Sequence, residues 1–252
     1  CSHSDSLLLE YLAANAWDPK PENVDINSFV EKFCAARYDE ENHPSMLILW
    51  KKMLPMIKAR YWNGPGNRAH FLFAEIFFHP CDFLLNLGTS LLFMHDFYLK
   101  QLEVPVKEAT NIFMQLAALQ LGPNNAFLWR DALDLARTCA ARTLHYALLK
   151  MIFAFENWRN FSGSGNEVLE RLDLCGTMLD LFTELLAAHP DYSLHQSLLL
   201  LQKHPECNPD FEKTLKGNAE NHYCRAYIYE LSHEIYRPEY ALASNIIQQR
   251  LK

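Results

Sequence analysis

The sequence predicts an all-α protein, a bundle of long antiparallel helices. The positions of glycine and proline and the spacing of apolar residues support this class. Glycine is scarce, with 8 in 252 residues, and glycine and proline lie between long stretches that contain neither. The longest stretch, 125–158, carries apolar residues at three- and four-residue intervals along its whole length. That spacing places them on one face of a helix about 50 Å long. No internal repeat is found, so a helical solenoid is not predicted.

Capping residues and prolines divide the chain into consecutive predicted helices. Asp25 is expected to cap the second helix, because its carboxylate can accept hydrogen bonds from the first free N–H groups. Pro55 is expected to kink or interrupt the third helix, Pro105 to open another, and Pro238 to separate the last two. An apolar run at 71–78 fits a strand as well as a helix, and we assign helix. The predicted helices are 6–17, 26–38, 43–60, helical segments within 69–97, 105–121, 125–158, 166–189, 192–204, 210–236 and 239–251.

The composition indicates which classes of partner and which cellular compartment to expect. A net charge of −7 argues against a nucleic-acid surface, and no apolar run reaches the 18 residues that a membrane span needs. We therefore expect no nucleic-acid partner and no membrane. The 7 cysteines include no Cys-x-x-Cys pair, which favours buried thiols in a reducing, cytoplasmic compartment. The first residues show no signal-peptide pattern.

No pattern in the chain predicts a metal, a cofactor or a nucleophile. The segment His79-Pro80-Cys81-Asp82 has no second ligand pair at zinc-site spacing, and the loop before Asn166 lacks the lysine of a phosphate-binding loop. Two carboxylate pairs at i, i+3 spacing could resemble an acid/base pair. They are Asp131 with Asp134 beside Arg130, and Glu167 with Glu170 beside Arg171. The adjacent arginines favour solvated ion-pair faces instead.

Several stretches, in order along the chain, resemble a known enzyme family. They are Glu10-Tyr11-Leu12-Ala13-Ala14-Asn15-Ala16-Trp17-Asp18-Pro19; Val24-Asp25-Ile26-Asn27-Ser28-Phe29 through Ala35-Ala36-Arg37-Tyr38 to Leu49-Trp50-Lys51; Arg130-Asp131-Ala132-Leu133-Asp134-Leu135-Ala136-Arg137; and Glu184-Leu185-Leu186-Ala187-Ala188-His189-Pro190-Asp191. The first resembles the passage by which several glycoside hydrolases leave their catalytic barrel. The others resemble the C-terminal helical domain of the alpha-N-acetylglucosaminidase family, glycoside hydrolase family 89, or a divergent relative. In place of that family's Trp-Gly-Pro motif, this chain has Asn218-Ala219-Glu220-Asn221-His222-Tyr223-Cys224-Arg225.

The resemblance implies a domain organisation and a role. The chain would be a single all-helical domain over 1–252, with 1–20 leaving a preceding barrel, 21–122 forming the N-terminal helices and 123–252 the long-helix bundle. Its partners would be the catalytic barrel of the same polypeptide and a glycan substrate. In the family the two catalytic carboxylates lie on the barrel, so we expect no catalytic residue here and no activity from this chain alone. The face that met the barrel should be an exposed apolar patch.

Five side chains are candidates for contact with a sugar: Asn221, Tyr223, Arg225, Tyr229 and Trp17. On the predicted helix 210–236, residues four apart share a face, so an amide, a guanidinium and a phenol would line up. Such groups suit sugar hydroxyls, which both donate and accept hydrogen bonds. Glu230 lies beside them. The alternative is that these groups only bond other helices or the barrel, and that Trp17 is a core anchor.

A function from another class fits the same composition. A free-standing helical module that binds a protein partner between helices, without catalytic activity, would also be acidic, all-α and rich in apolar residues. It differs in lacking a catalytic barrel encoded upstream in the same reading frame.

Overall fold

The computed structural model describes residues 6–16, 25–59, 89–120, 126–204, 206, 210–219 and 228–251; the side chains of 89–95, 97, 126 and 215–219 are not included. Every regular element within these ranges is helical, and they contain no strand. The all-α prediction is confirmed. The helical segments predicted between residues 69 and 88 lie outside the described residues.

The helices follow the predicted order closely. They are α1 (Ser6–Asn15), α2 (Ile26–Arg37), α3 (His43–Lys58), α4 (Thr89–Lys107), α5 (Ala109–Ala117), α6 (Ala126–Arg159), α7 (Gly165–Ala187), α8 (Leu194–Gln202), α9 (Asp210–Ala219), α10 (Tyr229–Leu231) and α11 (Arg237–Leu251). A 3₁₀ turn, Pro190–Tyr192, precedes α8, and a π-helical turn, Ser232–Tyr236, joins α10 to α11. Asp25 caps α2 as predicted, since its carboxylate accepts from the N–H groups of Asn27 and Ser28, each at 3.2 Å.

The described residues belong to two compact units. Unit 1 is drawn from Cys1–Ala59 and Leu102–Arg142, and unit 2 from Arg60–Gln101 and Thr143–Lys252. The helices α4 and α6 therefore contribute residues to both.

In unit 1, α2 packs on α1 and α3, and α3 packs on α5. The buried side chains recur at helical spacing, which is why an amphipathic pattern specified these helices. Phe33 and Trp50 meet edge to face at 5.4 Å between ring centroids. The largest fully buried side chains here are Phe33, Met46, Leu49, Trp50, Met53 and Met56.

In unit 2, α7 packs on α10, the π turn and α11, while α8 packs on the 3₁₀ turn, α9 and α10. Gly176 permits the close approach of α7 and α11, because a Cβ there would lie 3.3 Å from the Tyr240 ring. The Tyr240 hydroxyl donates to the Leu172 carbonyl across the same contact. Phe155 and Phe182 are among its largest fully buried side chains.

Pro55 does not interrupt its helix, since α3 contains it and continues to Lys58. The prediction that Pro105 opens a helix is wrong, because α4 contains Pro105 and the break falls at Glu108. Each proline removes one N–H donor near the end of its helix. Fully buried neighbours, Met56 in α3 and Leu102 in α4, keep these turns in place. Tertiary packing therefore overrides the local helix-breaking tendency.

The end of the chain also departs from prediction. The predicted helix 210–236 is not continuous, because Ile228 is extended, with φ −115° and ψ 130°. Pro238 does not separate two helices either. Directly before it, the Arg237 N–H donates to the Ser232 carbonyl five residues back, which defines the π turn. A widened turn lets the helix pass a residue that cannot donate.

Candidate functional site

Four of the five predicted sugar-contacting residues, Trp17, Asn221, Tyr223 and Arg225, lie outside the described residues. Tyr229 is described, and it begins α10 directly after the extended Ile228. The predicted alignment of Arg225 with Tyr229 on one continuous helix is therefore wrong.

Tyr229 is half-buried and stacks on the ring of His233, one turn later, with 5.3 Å between centroids and planes 29° apart. The His233 Nδ1 lies 2.7 Å from an oxygen of the exposed Glu234 carboxylate. An aromatic pair with an adjacent carboxylate offers a stacking surface and an acceptor at one place. This end of the π turn thus keeps the chemistry that suits a sugar hydroxyl.

Glu230, the neighbour of Tyr229, caps the N-terminus of α8. Its carboxylate accepts from the Ser193 hydroxyl at 2.6 Å and from the N–H groups of Leu194 and His195 at 2.8 and 2.9 Å. Burial opposes ionisation of Glu230, but these hydrogen bonds outweigh it and lower the pKa below its ordinary value. Glu230 thus joins two helices, a role that its place beside Tyr229 did not reveal because Ser193 is 37 residues away.

The π turn is held to α7 by a buried hydroxyl pair. Thr183 donates to the Leu179 carbonyl at 2.8 Å, so the Ser232 hydroxyl donates to Thr183, at 2.7 Å between the oxygens. At the surface, Arg237 pairs with Asp180 at 2.6 Å. These contacts fix the position of the turn that carries Tyr229 and His233.

A second candidate site lies in unit 1, around Asp131 of α6. The prediction that Asp131 and Asp134 form a solvated face is wrong, because each is only 1 % exposed. Asp134 pairs with Arg137, itself 3 % exposed, at 3.1 Å. The i, i+3 spacing was read as surface because the sequence does not show how deeply α6 is buried. The other carboxylate pair, Glu167 with Glu170, does lie at the surface, where Glu167 forms an ion pair with Arg171 at 2.6 Å.

Asp131 is the acceptor for two neighbouring residues at the end of α2. The guanidinium of Arg37 donates through Nε to Oδ2 and through Nη2 to Oδ1, the latter at 3.0 Å. The Tyr38 hydroxyl donates to Oδ2 at 2.6 Å, and the Trp50 Nε1 in turn donates to that hydroxyl at 2.9 Å. We call these four residues the Asp131 network.

The electrostatics of the Asp131 network favour fixed protonation states. Burial and the Asp131 charge raise the pKa of Tyr38 far above its usual value, so the phenol remains a donor. Burial lowers the pKa of Arg37, but the Asp131 hydrogen bond and charge raise it by more. The Arg37 guanidinium also lies over the rings of Phe33 and Phe127, at 5.5 and 4.6 Å.

The Asp131 network is an anchor and does not suit acid/base chemistry. Both oxygens of Asp131 accept hydrogen bonds, and the carboxylate is buried, so no substrate proton can reach it. A general acid or base must lie within hydrogen-bond reach of the substrate. The network instead joins the C-terminus of α2 and the middle of α3 to α6.

Within the described ranges, no three His, Cys, Asp or Glu residues are placed to hold a metal ion. None of the described helices is both long and apolar enough to cross a bilayer. Comparison with known proteins finds no match among protein-family models, curated proteins or solved structures.

Proposed function

We propose that this chain is the helical domain of a glycoside hydrolase resembling alpha-N-acetylglucosaminidase, and that it braces the catalytic barrel of the same polypeptide and helps form the sugar-binding cleft. The observation that carries the proposal is the Asp131 network. Its members come from two separate stretches that resemble the family: 24–51, which contains Arg37, Tyr38 and Trp50, and 130–137, which contains Asp131.

The meeting of these stretches is informative because they are far apart in the chain. Arg37 and Asp131 are separated by 94 residues, yet they form a bidentate ion pair. Residues that matched by chance would have no reason to be hydrogen-bonded to one another in the interior. The Asp131 network therefore supports a shared architecture for the matched segments.

The two buried carboxylates of α6 support the proposal that this chain braces the barrel and does not itself catalyse hydrolysis. Retaining hydrolysis needs two carboxyl groups about 5 Å apart on either side of an open cleft. Asp131 and Asp134, the buried carboxylates on α6, are committed to Arg37 and Arg137. The catalytic pair is accordingly assigned to the preceding barrel.

The surface of α1 supports a contact with that barrel, since the resemblance makes this segment the passage out of it. Leu7 is buried, whereas Leu8, Leu9 and Leu12 are 45 %, 61 % and 53 % exposed. Leu12 is a surface neighbour of both Leu8 and Leu9, which lie four and three residues before it. The described residues leave these three leucines of the ten-residue helix largely exposed, so they offer an apolar face to a partner.

The test compares the full-length product of the gene with this chain on a panel of chromogenic glycosides, with the alpha-N-acetylglucosaminide first. We expect hydrolysis by the full-length protein alone. Activity in this chain alone would contradict the assignment of the carboxylates to the barrel. Inactivity of both proteins across the panel would contradict the proposed function.

A paired substitution tests the contact of α1 with the barrel. Leu9→Glu with Leu12→Glu should reduce activity and thermal stability of the full-length enzyme, because both charges would be buried against the barrel. The same change should leave the melting temperature of this chain alone nearly unchanged, since both leucines are exposed there. Glu10→Gln, on the same helix, is the matched control. An unaffected full-length enzyme would refute the contact.

One observation favours the free-standing interaction module as a second candidate. On α7, Leu174 and Leu181 are 50 % and 59 % exposed, and a separation of seven residues places them on one stripe. A helical partner could cover such a stripe. An upstream reading frame without a barrel, together with a stable, inactive full-length protein, would favour this candidate.

A further inference from the structure

The chain contains a single Asn-x-Ser/Thr triplet in which x is not proline, Asn160-Phe161-Ser162. This triplet is the acceptor sequence for N-linked glycosylation, and a glycan needs a surface position. The structure places it in the turn between α6 and α7, where Asn160 and Ser162 are both exposed. The motif therefore occurs where a bulky substituent can be accommodated.

The turn has a defined geometry that presents Asn160 at the end of α6. The Ser162 N–H donates to the Asn157 carbonyl at 2.9 Å, and the Phe161 N–H donates to the Trp158 carbonyl at 3.0 Å. These two bonds, with Phe161 at a φ of 58°, form a Schellman motif that closes the helix. The Asn160 backbone N–H donates to the Glu156 carbonyl at 3.0 Å, and its side chain makes no hydrogen bond to the described residues.

Phe161 is an unusual residue for this position. The left-handed residue of a Schellman motif is usually glycine, because a side chain there is strained. A bulky aromatic residue with positive φ is an outlier, and packing ordinarily compensates the strain. Phe161 is 99 % exposed, so packing by the described residues does not offset this strain. The exposed ring can therefore contact a group attached to the neighbouring Asn160.

We propose that Asn160 carries an N-linked glycan whose first N-acetylhexosamine packs against the Phe161 ring. The donor is an oligosaccharide linked to a lipid diphosphate. The Asn160 amide nitrogen attacks the anomeric carbon, a C–N bond forms, and the bond from that carbon to the diphosphate oxygen breaks. The lipid diphosphate leaves with the electron pair, and the amide loses one proton. The C–H face of the sugar then covers the exposed aromatic ring.

A glycan at Asn160 places the chain in a secretory lumen, contrary to the cytoplasmic expectation drawn from cysteine usage. The described cysteines are compatible with that oxidising environment. Cys34, Cys139 and Cys175 are buried, and burial raises the pKa of both Cys34 and Cys175 to about 12. Burial thus disfavours the thiolate, which is the form that attacks in disulfide exchange.

The test is mass spectrometry of the full-length protein, expressed from its own gene in eukaryotic cells, before and after peptide-N-glycosidase treatment. We expect the peptide containing Asn160 to carry a hexosamine-rooted glycan and to become aspartate at that position on release. Asn160→Gln and Ser162→Ala should abolish the modification, whereas Ser162→Thr should retain it. Asn166→Gln, an exposed asparagine outside the triplet, is the matched control. An unmodified Asn160 in the native protein would overturn the proposal.

A stability measurement tests the packing of the sugar on Phe161. Phe161→Gly should raise the melting temperature of the enzymatically deglycosylated protein, because it relieves a strained φ and removes an exposed ring. In the glycosylated protein the same substitution should raise it less, because the contact with the sugar is lost. An equal shift in both forms would refute the contact while leaving the modification itself established by the mass.

Discussion

Replacing Asp131 with alanine is the sharpest test of the Asp131 network. The substitution removes the acceptor for two bonds from Arg37 and one from Tyr38, and leaves a guanidinium that is only 20 % exposed without its counter-ion. Breaking one side of a buried ion pair costs about 3–5 kcal/mol. Partial exposure of Arg37 permits some rehydration, so we expect the free energy of unfolding to fall by about 3 kcal/mol.

Urea denaturation followed by circular dichroism at 222 nm measures this loss. The matched control is Glu31→Ala, which breaks the exposed pair with Lys51 in the same unit and should change stability by about 1 kcal/mol or less. A double variant, Arg37→Leu with Asp131→Leu, should be more stable than Asp131→Ala. Replacing both charges with apolar groups leaves neither one buried alone.

Two results would refute this reasoning. If Asp131→Ala stays within about 1 kcal/mol of the parent, the buried pair is not the anchor that its geometry indicates. If the double variant loses as much as the sum of Arg37→Leu and Asp131→Leu measured separately, the two side chains are not energetically coupled.

Further predictions concern unit 2, including its turn between α6 and α7. Glu230→Gln should destabilise the protein at pH 7, and the difference from the parent should shrink in melting curves recorded down to pH 3; because the folded-state pKa is lowered, the contribution is present above the unfolded pKa near 4.5 and is lost as the pH falls through the folded value. Gly163→Ala should lower the melting temperature, since a Cβ would lie 3.0 Å from the Trp158 backbone nitrogen, whereas Gly165→Ala should raise it slightly, with its nearest contact at 3.5 Å. Ser232→Ala should cost about 1 kcal/mol in urea denaturation, because it removes a buried hydrogen bond; an unchanged midpoint would contradict that bond.

Helices were predicted well where their positions depend on residues close together in the sequence. The 34-residue α6 follows from apolar spacing, and the start of α2 follows from Asp25, whose carboxylate reaches N–H groups two and three residues away. The uninterrupted turn at Pro55 and the error at Pro105 have the opposite origin. A proline rule describes an isolated helix, and the packing that holds these turns comes from other segments of the chain.

The candidate sites show the same division between local and distant information. Tyr229 was selected for its residue type and its position four residues after Arg225 on a predicted helix. The structure places it beside a histidine and a carboxylate, and its contact with a sugar stays a prediction. The function of Glu230 depends on Ser193, and the burial of Asp131 depends on Arg37, so neither could be read from neighbouring positions. Charged residues at i, i+3 spacing indicate an exposed helix face only where that face is not packed against other helices. At Asp131 and Asp134 the face of α6 is buried.

A buried ionic network calls for a reason other than stability, because well-packed apolar residues can replace buried ion pairs without loss. A bidentate pair constrains direction as well as distance, so Arg37 and Asp131 fix how α2 meets α6 more tightly than leucines would. If the domain braces a catalytic barrel, such precision has a use, since a small displacement of a cleft wall can reduce catalysis strongly. The double leucine variant separates these effects. In the full-length enzyme it should lose less stability than Asp131→Ala yet lose activity, whereas full activity would show that the network serves the fold alone.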